Sequence, residues 1–214
     1  MPSCEGESII LMEVRGMAVN LVKGQKIDLT KGNAGLNQIM VGLGWDPVTS
    51  KGLLSSLFST QKDIDCDASV IMVGASGHMT SNKDVVYFGN LTHPSRSVRH
   101  MGDNLTGDGA GDDEQIFVEL NAVPSNIDRL IFVVNIYDCI SRKQDFGMIQ
   151  NAYIRIVDKA TNNELIRFNL TDNYQGFTGL EVGEVYRHNG EWKFAALGNG
   201  THDAGLKTML NKYA

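Results

Sequence analysis

An all-β fold, a β-sandwich of two mainly antiparallel sheets with about ten strands, is the architecture the sequence predicts. Three observations carry it. Short β-branched and aromatic runs recur through the chain, as in Ile116-Phe-Val-Glu-Leu120 and Leu130-Ile-Phe-Val-Val-Asn-Ile-Tyr137. Turn signals separate them, and 23 glycines suit a turn-rich β protein. Only the last turn or two of the chain looks helical: Leu206, Met209, Leu210 and Tyr213 form an apolar stripe at helical spacing, with Asp203 placed to cap it.

The individual elements follow from pattern. Residues 130–137 are apolar at successive positions, which predicts a central strand buried on both faces. Runs 153–158 and 164–170 flank Lys159-Ala-Thr-Asn-Asn163 and read as a hairpin; Ile166, Phe168 and Leu170 share one face. Runs 182–187 and 192–196 flank Asn189-Gly190, a strong signal for a tight hairpin turn. Earlier strands are expected at 39–43, 68–73 and 85–88. The stretch 47–62 lacks clean alternation and is expected to be a short helix or a loop covering a sheet edge. Nine methionines are scattered without a repeat and read as core packing.

Composition excludes several classes of function. The net charge of −6 and the absence of any Lys/Arg-rich run argue against a nucleic-acid partner held through phosphates. The longest apolar runs are too short to span a bilayer. Three widely spaced cysteines (Cys4, Cys66, Cys139) suit a reducing compartment and no disulfide framework, so a cytoplasmic location is expected.

The densest chemistry lies in Met101-Gly-Asp-Asn-Leu-Thr-Gly-Asp-Gly-Ala-Gly-Asp-Asp-Glu114. Asp103, Asp108, Asp112, Asp113 and Glu114 crowd five carboxylates into twelve residues with no Lys or Arg. Two such charges about 5 Å apart cost roughly 3 kcal/mol at an effective dielectric of about 20. A cation relieves that repulsion. Carboxylate, amide and hydroxyl oxygens from Asp103, Asn104, Thr106, Asp112, Asp113 and Glu114, with glycines such as Gly107 letting the backbone turn its carbonyls inward, are hard ligands that favour Ca²⁺ over Mg²⁺ or a transition metal. The twelve-residue length resembles an EF-hand loop, but Leu105 and Gly107 offer no side-chain oxygen and Asp108 stands where that loop needs glycine. A second cluster, Asp63-Ile-Asp-Cys-Asp67, puts Asp65 and Asp67 on one face of an extended chain.

Two other chemistries compete. His93, Arg96, Arg99 and His100 precede the loop and could hold phosphate beside a metal, as in a metal-dependent phosphatase or phosphodiesterase. No P-loop, GxSxG elbow or HExxH motif supports an enzyme. Cys66 could act as a capturing thiol, yet its flanking carboxylates raise a thiol pKa and suppress the reactive thiolate.

Several motifs together are similar to the TerD-type tellurium-resistance and stress-response family. They are Leu21-Val-Lys-Gly24, Val41-Gly-Leu-Gly-Trp-Asp46, Asp65-Cys-Asp-Ala-Ser69, Val86-Tyr-Phe-Gly-Asn90 and, above all, Gly102-Asp-Asn-Leu-Thr-Gly-Asp-Gly-Ala-Gly-Asp-Asp-Glu114. The resemblance covers residues 17–214 as one β-sandwich domain and leaves residues 1–16 as an N-terminal extension. It implies a cytoplasmic, non-enzymatic adaptor or sensor that binds one or two Ca²⁺ ions and acts in tellurite, chemical and phage stress. It implies other Ter-type proteins as partners, including a membrane-embedded one at the cytoplasmic face. The implied ion ligands are Asp103, Asn104, Thr106, Gly107, Asp112, Asp113 and Glu114, with Asp65 and Asp67 facing them. Cys66 departs from the aliphatic residue usual there.

Overall fold

The computed structural model describes residues 9–10, 18–47, 64–102 and 111–214. In chain order the strands are β1 (Ile9–Ile10), β2 (Val19–Leu21), β3 (Lys26–Asp28), β4 (Gln38–Pro47), β5 (Cys66–Val73), β6 (Val85–Val86) and β7 (Val98–His100). Then follow β8 (Glu114–Glu119), β9 (Arg129–Ile136), β10 (Ile149–Asp158), β11 (Glu164–Asn169), β12 (Gly179–His188) and β13 (Glu191–Thr201). They form a seven-stranded sheet, β1-β3-β13-β12-β9-β5-β6, and a six-stranded sheet, β2-β11-β10-β4-β8-β7. Among the described residues, only the edge pairs β1/β3 and β2/β11 are parallel. The predicted mainly antiparallel sandwich is the observed architecture.

The inner faces meet in one apolar core. Leu130, Phe132, Val134 and Ile136 of β9 pack there with Val41, Leu43, Ile116, Ile154 and Phe194. The alternate residues of β9, Ile131 and Val133, face outward into a second cluster with Ile71, Val73, Met209 and Tyr213. This is why residues 130–137 read as apolar on both sides: the strand is central, between β12 and β5, and each face has its own cover.

The hairpin turns hold their positions. Asn189 and Gly190 have φ of 52° and 81°, the two positive values a primed turn needs. The strands they join, β12 and β13, are longer than their alternation predicts, because both lie inside the seven-stranded sheet.

Three details differ from expectation. The C-terminal helix α2 spans only Leu206–Met209, numbered after a one-turn helix α1 at Cys139–Arg142, and continues as a 3₁₀ turn over Leu210–Lys212. Asp203 does not cap α2; Gly205 occupies the N-cap with no side-chain bond. Strand character ends at Val86, and Tyr87 pairs with Asn90 only as an isolated bridge. The stretch expected as a helix or covering loop lies largely outside the described residues. Within the predicted extension, Ile9 and Ile10 pair with Lys26 and Ile27 at the edge of the larger sheet.

The C-terminal segment is fastened by a buried carboxylate. Glu181 Oε1 accepts from Lys212 Nζ and from the Tyr213 hydroxyl. Burial alone would raise the Glu181 pKa, but these donors outweigh it and hold the group below its ordinary value of 4.5. A depressed carboxylate contributes stability that is fully present above 4.5 and is lost as pH falls through its folded value. Tyr213→Phe is predicted to lower stability by about 2 kcal/mol, the worth of a hydrogen bond to a charged group. Urea unfolding checks this, and Glu181→Gln should flatten the fall in stability below pH 4.5.

Candidate metal site at the sandwich end

The acidic loop leaves β7 at one edge of the smaller sheet and returns as β8 beside it. Its two ends are tied together: the Met101 N–H donates to the Gln115 carbonyl at 3.0 Å. The three closing carboxylates, Asp112, Asp113 and Glu114, then part in different directions.

Asp112 lies on the outer face of the smaller sheet. Arg155 holds it bidentately, Nε to Oδ1 at 2.7 Å and Nη2 to Oδ2 at 2.8 Å. The Tyr153 hydroxyl and the Gln115 amide also donate to it, at 3.0 and 3.1 Å. Its side chain is fully buried under these groups. Burial, then the Asp112 charge, pushes the Tyr153 pKa up to about 12, so the phenol keeps its proton and stays a donor. The Asp112 hydrogen bond likewise moves Arg155 further above its ordinary range.

Room for this cluster comes from Gly42 and Gly44 of β4. A Cβ on Gly42 would stand 2.4 Å from the Asp112 carboxylate, and one on Gly44 would stand 2.5 Å from the Tyr153 ring. The register explains the match, since Arg155 lies opposite Gly42 and Tyr153 opposite Gly44. The Gly-Leu-Gly motif is thus a bed for two side chains.

Asp113 stays at the strand end, where its Oδ2 accepts from the Trp45 N–H at 2.7 Å. Glu114 turns inward and is 2% exposed. Its Oε2 accepts from the Ala68 N–H of β5 and from His100 Nε2, both at 2.9 Å. His100 Nδ1 accepts from the Gly102 N–H, which leaves the ring proton on Nε2 for Glu114. Glu114 therefore joins the two sheets where the loop emerges.

The second acidic cluster enters from the larger sheet. Asp67 faces outward on β5, with the Asn135 amide donating to it at 3.3 Å, and Asp65 lies 3.9 Å from Arg142. Cys66 between them points into the core. Burial, then Asp67, Asp65, Glu114 and Asp113 in that order, drives its thiol pKa well above the usual range. Asp65 and Asp67 flank this thiol along the chain, and the charges of Asp113 and Glu114 act on it from the other sheet. The same environment leaves Cys66 protonated and inaccessible, which opposes thiol capture of tellurite.

Asp103, Asn104, Thr106 and Gly107 lie outside the described residues. Among the described residues, no three His, Cys, Asp or Glu side chains are grouped to hold an ion. Asp112 has both oxygens on Arg155, while Asp113 and Glu114 carry hard oxygen donors, the donor class Ca²⁺ takes, at the end of the loop. The phosphate constellation is not assembled. His93 donates to Asp84 at 3.3 Å and is buried, His100 serves Glu114, and Arg99 points to the opposite face over the Phe117 ring.

Comparison with known proteins agrees with this architecture. The family profile described as TerD domain matches residues 17–213. Stress response protein SCP2 of Bacillus subtilis is 58% identical over 92% of this chain and 100% of its own length. Tellurium resistance protein TerD of Serratia marcescens is 40% identical over 92% of this chain and 97% of its own. The chain belongs to the TerD family. Among solved structures, a TerD homologue from Streptomyces coelicolor superposes with a TM-score of 0.59 at 23% identity, covering 79% of this chain and 92% of that one. That likeness supports the fold.

Arg155, Tyr153 and His100 were not predicted as partners of the TerD loop. Their signal was only their parity: Tyr153 and Arg155 share one face of β10, the face that carries the glycines' neighbours. Asp112→Asn is predicted to cost about 3 kcal/mol, the lower end for a broken buried pair, because Arg155 remains a quarter exposed. Gly42→Ala should lose a comparable amount by expelling Asp112. Chemical denaturation of both variants checks this, and equal stability to the parent chain would sink the reading.

Proposed function

We propose that this TerD-family protein is a Ca²⁺-binding, non-enzymatic adaptor of the cytoplasmic response to tellurite and other chemical stress. The observation that carries the reading is the run of Asp112, Asp113 and Glu114 closing a loop that brings further carboxylates, beside a second acidic pair, Asp65 and Asp67, at the start of β5 in the facing sheet. Like charges gathered from two sheets favour a bound cation. Asp113 and Asp65 would hold the ion with Asp103, Asn104, Thr106 and the Gly107 carbonyl, while Asp67 faces the other side of β5, beside Asn135. Glu114 serves from the inner side, and Asp112, held by Arg155, positions the loop. The adaptor role, with other Ter-type proteins and a membrane-embedded partner, rests on the family and on the stress and tellurium-resistance names of its relatives.

The test is calorimetry on chelator-stripped protein. Ca²⁺ at about a hundred times its Kd should raise stability by about 2.7 kcal/mol through linkage. Asp113→Asn should remove most of that increment. Asp112→Asn should lower stability with and without Ca²⁺ alike. Absence of any Ca²⁺ heat at millimolar concentrations would sink the proposal.

A further inference from the structure

A cavity of about 500 Å³ lies on the outer face of the larger sheet, away from the core. Its floor is made by Asp67, Ser69 and Asn135, neighbours on β5 and β9. One wall is Val85, Tyr87 and Phe88; the other is the C-terminal segment at Leu206 and Leu210. None of the predicted loop residues lines it.

The floor has unmet hydrogen-bonding capacity. Ser69 is 1% exposed and Asn135 is 4% exposed, yet Ser69 Oγ and Asn135 Oδ1 have no hydrogen-bond partner. Buried polar atoms are nearly always paired, so two such oxygens lining one cavity mark a place for a donor from outside. Asn135 cannot turn to satisfy itself, because its amide nitrogen donates to Asp67. The floor is therefore rich in acceptors and carries a carboxylate. The walls are apolar and aromatic, with Tyr87 and Phe88 packed edge to face at 5.3 Å and Phe88 48% exposed at the mouth. Acceptors below and aromatic rings beside them suit an ammonium group. The volume is far larger than an inorganic ion needs and matches a small organic ligand. Lys207 at the rim disfavours a second positive charge on the occupant.

We infer that this cavity is a second ligand site, which takes a small primary monoamine with an apolar body. The ammonium group donates to Asn135 Oδ1, Ser69 Oγ and the Asp67 carboxylate. The apolar body lies between Phe88 and Leu206. The site is separate from the loop and does not require that Ca²⁺ bind there.

The test uses the full chain with 2-phenylethylamine and its uncharged analogue 2-phenylethanol, followed by calorimetry and by amide chemical shifts. Each titration is run once with saturating Ca²⁺ and once with chelator. The amine should bind at least about tenfold tighter than the alcohol in both conditions. The largest shifts should fall at Ser69, Tyr87, Asn135 and Leu206. Asn135→Leu should weaken the amine about tenfold or more, and Phe88→Ala, a surface change that spares the fold, roughly threefold. Binding of the amine without any Ca²⁺ binding would leave the inference standing while sinking the Ca²⁺ reading. Equal affinity for amine and alcohol, no binding at millimolar amine, or loss of the amine when Ca²⁺ is added would overturn it.

Discussion

A buried carboxylate, Glu114, ties the two sheets together at the end of the sandwich where the acidic loop emerges. Leaving such a charge unpaired inside a protein costs several kcal/mol, so its environment must supply donors. It does so from both layers: the Ala68 N–H comes from the larger sheet and His100 from the smaller one. The Ala68 N–H needs an acceptor too, because the neighbouring strand β6 pairs only with Val70 and Ile71. Glu114 thus stands in for a missing strand. Much of the local geometry depends on it, including the position of His100 and, through Gly102, the start of the loop.

Strand alternation then decides what the adjoining carboxylates can do. Glu114 points inward, so Asp112 falls on the outside, over the glycines of β4 and under Arg155. The bidentate pair is buried on its acidic side, where removing either partner strands a charge. Arg155 also reaches Glu164 at 3.0 Å, and Glu164 in turn is held by Arg167. A ladder of alternating charge therefore runs across the outer face of β10 and β11 and ends on Asp112. One end of the loop is anchored through this ladder and the other through His100.

The fold was largely legible in the sequence because its signals are local. Asn189-Gly190 supplies its turn by backbone preference alone, and residues 130–137 declare their double burial by composition. That the start of β5 meets the end of the loop was legible only through family resemblance, since Ala68 and Glu114, which join the two sheets, stand 46 positions apart. Arg155 as the partner of Asp112 was not legible. They stand 43 positions apart, and an arginine on an outer strand face gives no sign of which carboxylate it meets. The short reach of α2 was missed for another reason. Its apolar stripe is real, but Leu206, Met209, Leu210 and Tyr213 need only one α turn and one 3₁₀ turn to cover Ile71 and Val133.

The carboxylates at the sandwich end do two jobs that ordinary substitution confounds. Asp113 and Glu114 accept from backbone N–H groups of Trp45 and Ala68, which lie past the last residues that β8 and β6 pair on one side of β4 and β5. They hold these strand ends by hydrogen bonding whether or not an ion is bound. Any ion therefore meets a base already shaped by the two sheets, and the ordering cost of binding falls on the loop between the anchors. This division explains why Asp-Asp-Glu closes the loop as a block. The middle and last residues join the loop to the sandwich edge, and the first is locked to Arg155. Losing a ligand oxygen and losing a backbone acceptor are different events with different dependence on Ca²⁺. Only the part of a stability change that disappears when the ion is removed belongs to coordination.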